Sequence, residues 1–319
     1  MKKVLVTGTL AIDFIGRYPG TFESYGDGQP LNMSVQLSEL NQGFGGCAMN
    51  IAYTLKLLGF EPIPLVRVGT DFHEGYREHL ANLNITTDAI VVDTRLPFSS
   101  RAFIITDDDG NQITAFFPGS SDPRYSTVPV PSAAETARRF KCDYVILAPD
   151  LPQNMLAHAE SLSVADIPYL FDPGQGLPDF SDEHTKALVA LSRQAVVNEH
   201  EWKCLIDRID GGESALRRHF DWIVVTHGAD GVKVYSGSRT WQVASIKPET
   251  FIEHTGCGDA FRAALVGALT AGADLERSVK AGVLAATIKL ESPGTQLHRM
   301  SVDSFRERYR ETFSEPAPL

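Results

Sequence analysis

Val4-Leu5-Val6-Thr7-Gly8 opens the chain with three apolar residues running into a turn, and an apolar run without alternation marks a strand buried on both faces. The pattern recurs at Pro62-Ile63-Pro64-Leu65-Val66-Arg67-Val68, Tyr144-Val145-Ile146-Leu147, Tyr169-Leu170-Phe171, Ala195-Val196-Val197 and Trp222-Ile223-Val224-Val225, all but the second followed directly by Gly, Asp, Asn or Thr. Most of the intervals are long enough for a helix. Repeated strand, helix, strand predicts an α/β fold, a three-layer α/β/α sandwich around a mainly parallel sheet.

Two stretches break the rhythm. Met33-Ser34-Val35-Gln36-Leu37-Ser38 alternates apolar with polar residues, which predicts a strand with one buried face. Arg101–Thr106 and Gln112–Phe117, joined by Asp107-Asp108-Asp109-Gly110-Asn111, predict a hairpin. Together they predict a small β-sheet inserted discontinuously, a lid over about 14–40 and 99–120 on a core of about 1–13, 41–98 and 121–319. The acid run Asp107 to Asp109 reads as a solvated turn tip, and Glu315-Pro316-Ala317-Pro318-Leu319 as a disordered tail.

The chain has 319 residues, with 29 Lys plus Arg against 40 Asp plus Glu, a formal charge of −11. An apolar share of 43% with 22% charged residues argues against disorder, collagen-like repeats and disulfide scaffolds. So acidic a balance lacks the basic footprint of a nucleic-acid binder. A small anion remains a possible ligand, provided that backbone dipoles, a few basic groups or a metal supply the field locally. Cys47, Cys142, Cys204 and Cys257 form no CxxC pair, so reduced thiols and a cytoplasmic location are expected. No apolar run approaches the length of a signal-peptide core or a membrane span.

Four motifs could carry chemistry. Thr255-Gly256-Cys257-Gly258-Asp259 precedes an Ala/Leu-rich helix, so several backbone N–H groups and a helix dipole can meet at one spot, an anion cradle. Asp259 would repel that anion unless it served a purpose such as general base for an attacking hydroxyl. Gly43-Phe44-Gly45-Gly46 opens a helix carrying Asn50, Asn198-Glu199-His200-Glu201 follows a strand, and Thr226-His227-Gly228-Ala229-Asp230-Gly231 forms a small loop. Taken singly, each fits an ordinary turn or helix cap at least as well.

In order and spacing the four resemble the ribokinase (PfkB) family of carbohydrate and nucleoside kinases, over essentially the whole chain. Within it Gly258-Asp259-Ala260-Phe261-Arg262, Phe171-Asp172-Pro173-Gly174-Gln175 and Leu290-Glu291-Ser292-Pro293-Gly294-Thr295-Gln296 are most like the bacterial adenosine and nucleoside kinases. The resemblance implies a ribokinase-like fold and ATP-dependent transfer to the 5′-hydroxyl of a nucleoside, adenosine first. Asp259 would be the catalytic base, with Gly256, Cys257 and Gly258 as its anion hole. Asp13, Gly45, Gly46 and Asn50 would line the ribose. Phe103 and Phe116 from the lid would stack on the base, with Ser34 and Gln175 as polar neighbours. Asn198, Thr226, Gly228 and Gly231 would bind ATP, and Glu201 would hold Mg2+ through water, with a monovalent cation as a further candidate. It also implies a homodimer paired through the lid.

One departure stands out. The family usually reads Asp-Thr or Asp-Pro where this chain has Glu253-His254, a longer acid followed by an imidazole that can become charged near the phosphates. Arg262 reads either as added positive charge at the cradle or as a surface arginine. The alternatives are a sugar kinase acting on ribose or a similar sugar, and a silent nucleoside or sugar sensor on the same fold. A dinucleotide-binding dehydrogenase is disfavoured, since no Gly-x-Gly-x-x-Gly follows the first strand.

Overall fold

The computed structural model describes residues 1–22 and 34–319. In chain order the first part runs β1 (Lys3–Thr7), β2 (Ala11–Arg17), β3 (Glu39–Gly45), α1 (Cys47–Leu57), β4 (Glu61–Leu65), β5 (Arg67–Val68), α2 (Tyr76–Asn82), β6 (Val91–Val92), β7 (Ser100–Thr106) and β8 (Gln112–Phe117). Next come α3 (Ala133–Phe140), β9 (Tyr144–Leu147), α4 (Pro152–Val164), β10 (Tyr169–Phe171), α5 (Asp182–Leu191), β11 (Gln194–Asn198), α6 (Glu199–Arg208) and α7 (Gly212–His219). The last are β12 (Trp222–Thr226), β13 (Val232–Ser236), β14 (Arg239–Val243), α8 (Cys257–Thr270), α9 (Leu275–Leu290) and α10 (Val302–Phe313).

Eight strands form the main sheet in the order β14-β13-β12-β11-β10-β9-β1-β4. Those from β12 to β4 are parallel, and β13 and β14 run antiparallel at one edge. Successive residues point to opposite faces. Val4, Val6, Ile146, Val196 and Val224 enter a core shared with α1, α8 and α9, whereas Leu5, Val145, Leu147, Val197 and Val225 enter a second core shared with α3 to α7. Two apolar faces explain the uninterrupted hydrophobic runs, and the three-layer, mainly parallel expectation is met.

A second sheet has the order β3-β2-β7-β8, and the hairpin is present as β7 and β8. The alternating segment behaves otherwise. Met33 lies outside the described residues, and 34–38 carry no strand. The strand that pairs with β2 is the polar Glu39–Gly45, because an exposed strand is specified by its backbone partner rather than by an apolar face.

Asp108 and Asp109 are exposed, as a solvated turn tip requires, but the third turn acid differs. Asp107 is buried and accepts from the Phe22, Asp109 and Asn111 amides at 2.9, 3.1 and 2.7 Å, so it pins the turn instead of solvating it. The tail is ordered: Glu315 bonds Lys280 and Tyr309, and Leu319 O accepts from Arg306 Nε at 2.7 Å. No helix among the described residues is long and apolar enough to cross a membrane.

Candidate active site

Gly256 takes a left-handed conformation (φ 82°, ψ 1°) as the residue that caps α8, and no side chain caps that end. A residue with a Cβ is strained there. The turn delivers Asp259 into the first helical turn, where Asn50 Nδ2 of α1 donates to its Oδ2 at 2.8 Å. Burial pushes the Asp259 carboxyl up to about 6, against the lowering pull of the Asn50 bond and the Arg262 charge. The amide of Asn50, a residue expected to line the ribose, is engaged by the acid.

A second amide fixes the first. Gln296 Nε2 donates to Asn50 Oδ1 at 3.0 Å and to Tyr76 Oη at 2.9 Å, and its Oε1 lies 2.9 Å from His79 Nε2. Tyr76 Oη in turn donates to Gly45 O at 2.8 Å. Gln296 belongs to a stretch that carries the resemblance, yet nothing in its spacing points to Asn50, 246 positions away.

Asp13 lies on β2, buried. Its carboxylate fills the space that a Cβ on Gly45 would need, so the Gly45-Gly46 pair lets the acid approach the start of α1. Burial first, then the charges of Asp259 and Glu253, raise Asp13 to about 7. Asp13, Gly45, Asn50 and Asp259 are thus brought together around one spot.

The lid aromatics are split. Cross-strand partners share a face, and the register pairs Asp13 with Ala102 and Ala102 with Phe116, but Phe14 with Phe103. Phe116 is therefore on the Asp13 face. Phe103 is on the other, stacked on Phe14 at 5.3 Å, so it does not join Phe116 over one ligand. Ser34 and Gln175 are exposed.

Asn198 and Thr226 are adjacent partners at the ends of β11 and β12. Asn198 caps α6 through a reciprocal box: Glu201 N donates to its Oδ1, while its own N and Nδ2 donate to Glu201 Oε2 and Oε1, each at 2.8 Å. Gly228 and Gly231 shape the turn from β12 to β13. Each Glu201 oxygen accepts one of these bonds and can accept another, as from a metal-bound water, and no group of three His, Cys, Asp or Glu among the described residues is placed to hold a metal. That donor set suits an ion that keeps its waters, as magnesium does, rather than a protein cage.

Arg262 is buried, so it is not a surface arginine, and its charge lies close enough to Asp259 to act on it. Its Nε pairs with Asp172, Nη1 donates to Gly258 O at 3.1 Å and Nη2 lies 3.9 Å from Glu201 Oε2. It cross-links the turn at Gly258, the end of β10 and the cap of α6. Asp172, raised to about 7 chiefly by burial, is a further partner that local spacing does not reveal.

Known proteins bear on this arrangement. A nucleoside kinase of Methanocaldococcus jannaschii is 29% identical over 312 residues, 97% of each chain. The structure of a Burkholderia thailandensis nucleoside kinase in complex with inosine superposes with a TM-score of 0.88 at 30% identity over 98% of both chains. Its complex with ADP and inosine gives 0.86 at 30% identity, covering 98% of this chain and 97% of that one. The pfkB family carbohydrate kinase profile matches residues 1–301, and this chain belongs to that family, as an ATP-dependent kinase whose acceptor is an alcohol group of a nucleoside or sugar.

Proposed function

We propose that the chain phosphorylates the 5′-hydroxyl of a nucleoside, adenosine being its preferred acceptor, with Asp259 as general base and the amides of Gly256, Cys257 and Gly258 as the anion hole. The observation that carries this reading is the Asn50 to Asp259 bond of 2.8 Å at the uncapped start of α8. An acid held there is aimed and half-buried, and the dipole beside it favours a transferring phosphoryl group. Likeness to nucleoside kinases, one of them bound to inosine, supports the acceptor class.

Phosphoryl transfer passes through a loose transition state, so positioning and charge neutralisation do most of the work. Asp13 would accept hydrogen bonds from ribose hydroxyls, setting the sugar so that its 5′-hydroxyl faces Asp259. Asp259 would take the hydroxyl proton as the 5′-oxygen bonds to the γ-phosphorus of ATP and the bond from that phosphorus to the departing ADP oxygen breaks. Asn198 and Thr226, side by side on the sheet edge, would meet the nucleotide, and Glu201 would touch the ion through water. Magnesium bound with ATP supplies neutralising charge on the phosphate oxygens.

The small sheet of β3, β2, β7 and β8 would act as the lid that excludes water, with Phe116 against the base. Its edge strand β8 is exposed along its whole length, with Ile113, Phe116 and Phe117 on show, which supports pairing of two lids in a homodimer. Four free thiols fit work in the cytoplasm.

The test is coupled ADP release with adenosine, inosine, guanosine, cytidine and ribose. Turnover of adenosine above the others is expected; turnover of ribose alone would overturn the nucleoside assignment. Asp259→Asn should lose at least about a hundredfold in kcat with nucleoside binding retained.

A further inference from the structure

Lys289, in the last turn of α9, is fully buried. Its Nζ donates to Ser292 O at 2.9 Å and reaches Glu253 O at 3.4 Å. A buried ammonium is costly unless oxygens replace its water, and carbonyl oxygens are the ligands that replace the water of a monovalent cation. The two carbonyls flank the loop that leads into the anion hole. Ile252 and Glu253 donate their amides to Leu290 O at 2.8 and 3.3 Å, and Gly294 N donates to Glu253 Oε2 at 2.8 Å. Loop and helix end are thus tied at four points, and the lysine inside the knot supplies a positive charge that answers the Glu253 carboxylate.

The groups that face this ammonium are Glu253 from the loop, Cys257 from the start of α8 and His298 from the segment after α9. Burial lowers the Lys289 pKa, and Glu253 and Cys257 oppose that. A free monovalent ion seeking carbonyl oxygens beside the anion hole finds these already taken.

We propose that Lys289 is a built-in cation, its ammonium holding the carbonyls of Glu253 and Ser292 so that the loop at 253–258 presents its amides to the phosphoryl group without a dissociable monovalent ion. The proposal rests on reading that loop as the anion hole. It makes Lys289 a positioning residue, acting through the loop rather than on substrate. It also gives the Glu253-His254 departure a use, since the longer acid reaches the Gly294 amide across the knot.

The first measurement is turnover of the unaltered protein in potassium, sodium or choline chloride at equal ionic strength. Rates within about twofold of one another are expected, whereas potassium stimulation above about fivefold would overturn the proposal, because one filled site gives no mass-action response to added ion. The second compares Lys289→Ala, which opens room beside the carbonyls, with Lys289→Met, which fills it with an apolar chain. In choline both should lose at least about tenfold in kcat, with the nucleoside KM changed by less than about threefold. Ammonium or potassium should restore the alanine variant severalfold and leave the methionine variant low. An alanine variant fully active in choline, or equal rescue of both, would overturn the proposal. If the variants fail to fold, the ion response of the unaltered protein decides. Asp259→Asn assayed alongside keeps the two readings apart, since turnover surviving there would sink the base assignment and leave the ion comparison standing.

Discussion

Asn50 Nδ2 donates to Asp259 Oδ2 at 2.8 Å while Asn50 Oδ1 accepts from Gln296 at 3.0 Å, so the amide cannot flip without losing both bonds. The base is thereby given a donor, which favours its charged form. With Asp259 at about 6, kcat/KM should be flat above neutrality and fall tenfold per unit below about pH 6, as the base takes up its proton. Removing the donor in Asn50→Ala should move that limb to higher pH and lower kcat by about tenfold or more. A limb that stays in place in a pH profile of the variant would mean that the bond does not set the base. Gln296→Ala should shift the limb in the same direction by less.

Buried acids also set how stability depends on pH. Asp13, Asp150 and Asp172 stand at about 7 and Asp259 at about 6, all above the ordinary carboxylate value near 4. Between those limits the folded chain binds more protons than the unfolded one, so stability falls as pH rises through the window. The ligand-free protein should therefore melt at a higher temperature at pH 5.5 than at pH 8. Asp13→Asn should raise the melting temperature at pH 8 and narrow that difference, while nucleoside binding is lost; thermal melts at the two pH values with and without adenosine check both parts.

What could be read from the residue pattern follows from how each element is buried. The parallel strands announce themselves because Val4 to Val6 or Val145 to Leu147 meet apolar cores on both sides. β2 does not, since Asp13, packed against Gly45, and Gly16, packed against Leu37, interrupt it. β3 is polar because solvent covers most of it. In the site, Asp259 and the glycines are legible since a helix start demands them locally. Gln296, Asp172 and Lys289 are not, because each acts on a residue brought near only by the fold, and a buried lysine in α9 has the same spacing as an exposed one.

The buried pair of Arg262 and Asp172 gives a separate prediction. Removing one partner leaves an uncompensated charge, which typically costs about 3–5 kcal/mol, whereas removing both charges costs much less. Arg262→Met should therefore be strongly destabilised in urea unfolding, and adding Asp172→Asn should recover much of the loss. Activity should not return with stability, since Arg262 also holds Gly258 O at 3.1 Å. Full recovery of kcat in the double variant would show that charge balance is the arginine's whole task.

Phe103 and Phe116 are both half exposed, at 45% and 50%, so burial does not distinguish them; the register does. Phe116 shares the face of Asp13, and Phe103 shares that of Phe14. If a nucleobase lies between the lid and the ribose site, Phe116→Ala should raise the nucleoside KM by about tenfold, the range expected when one aromatic contact of about 1–3 kcal/mol is removed from a base. Phe103→Ala should change it by less than about threefold and act on the opposite face, where an apolar ring could meet another subunit. Steady-state KM values for adenosine, with sedimentation velocity on both variants, separate the two roles. A larger KM effect at Phe103 would mean that the base approaches from the Phe14 side and that Asp13 does not hold the ribose.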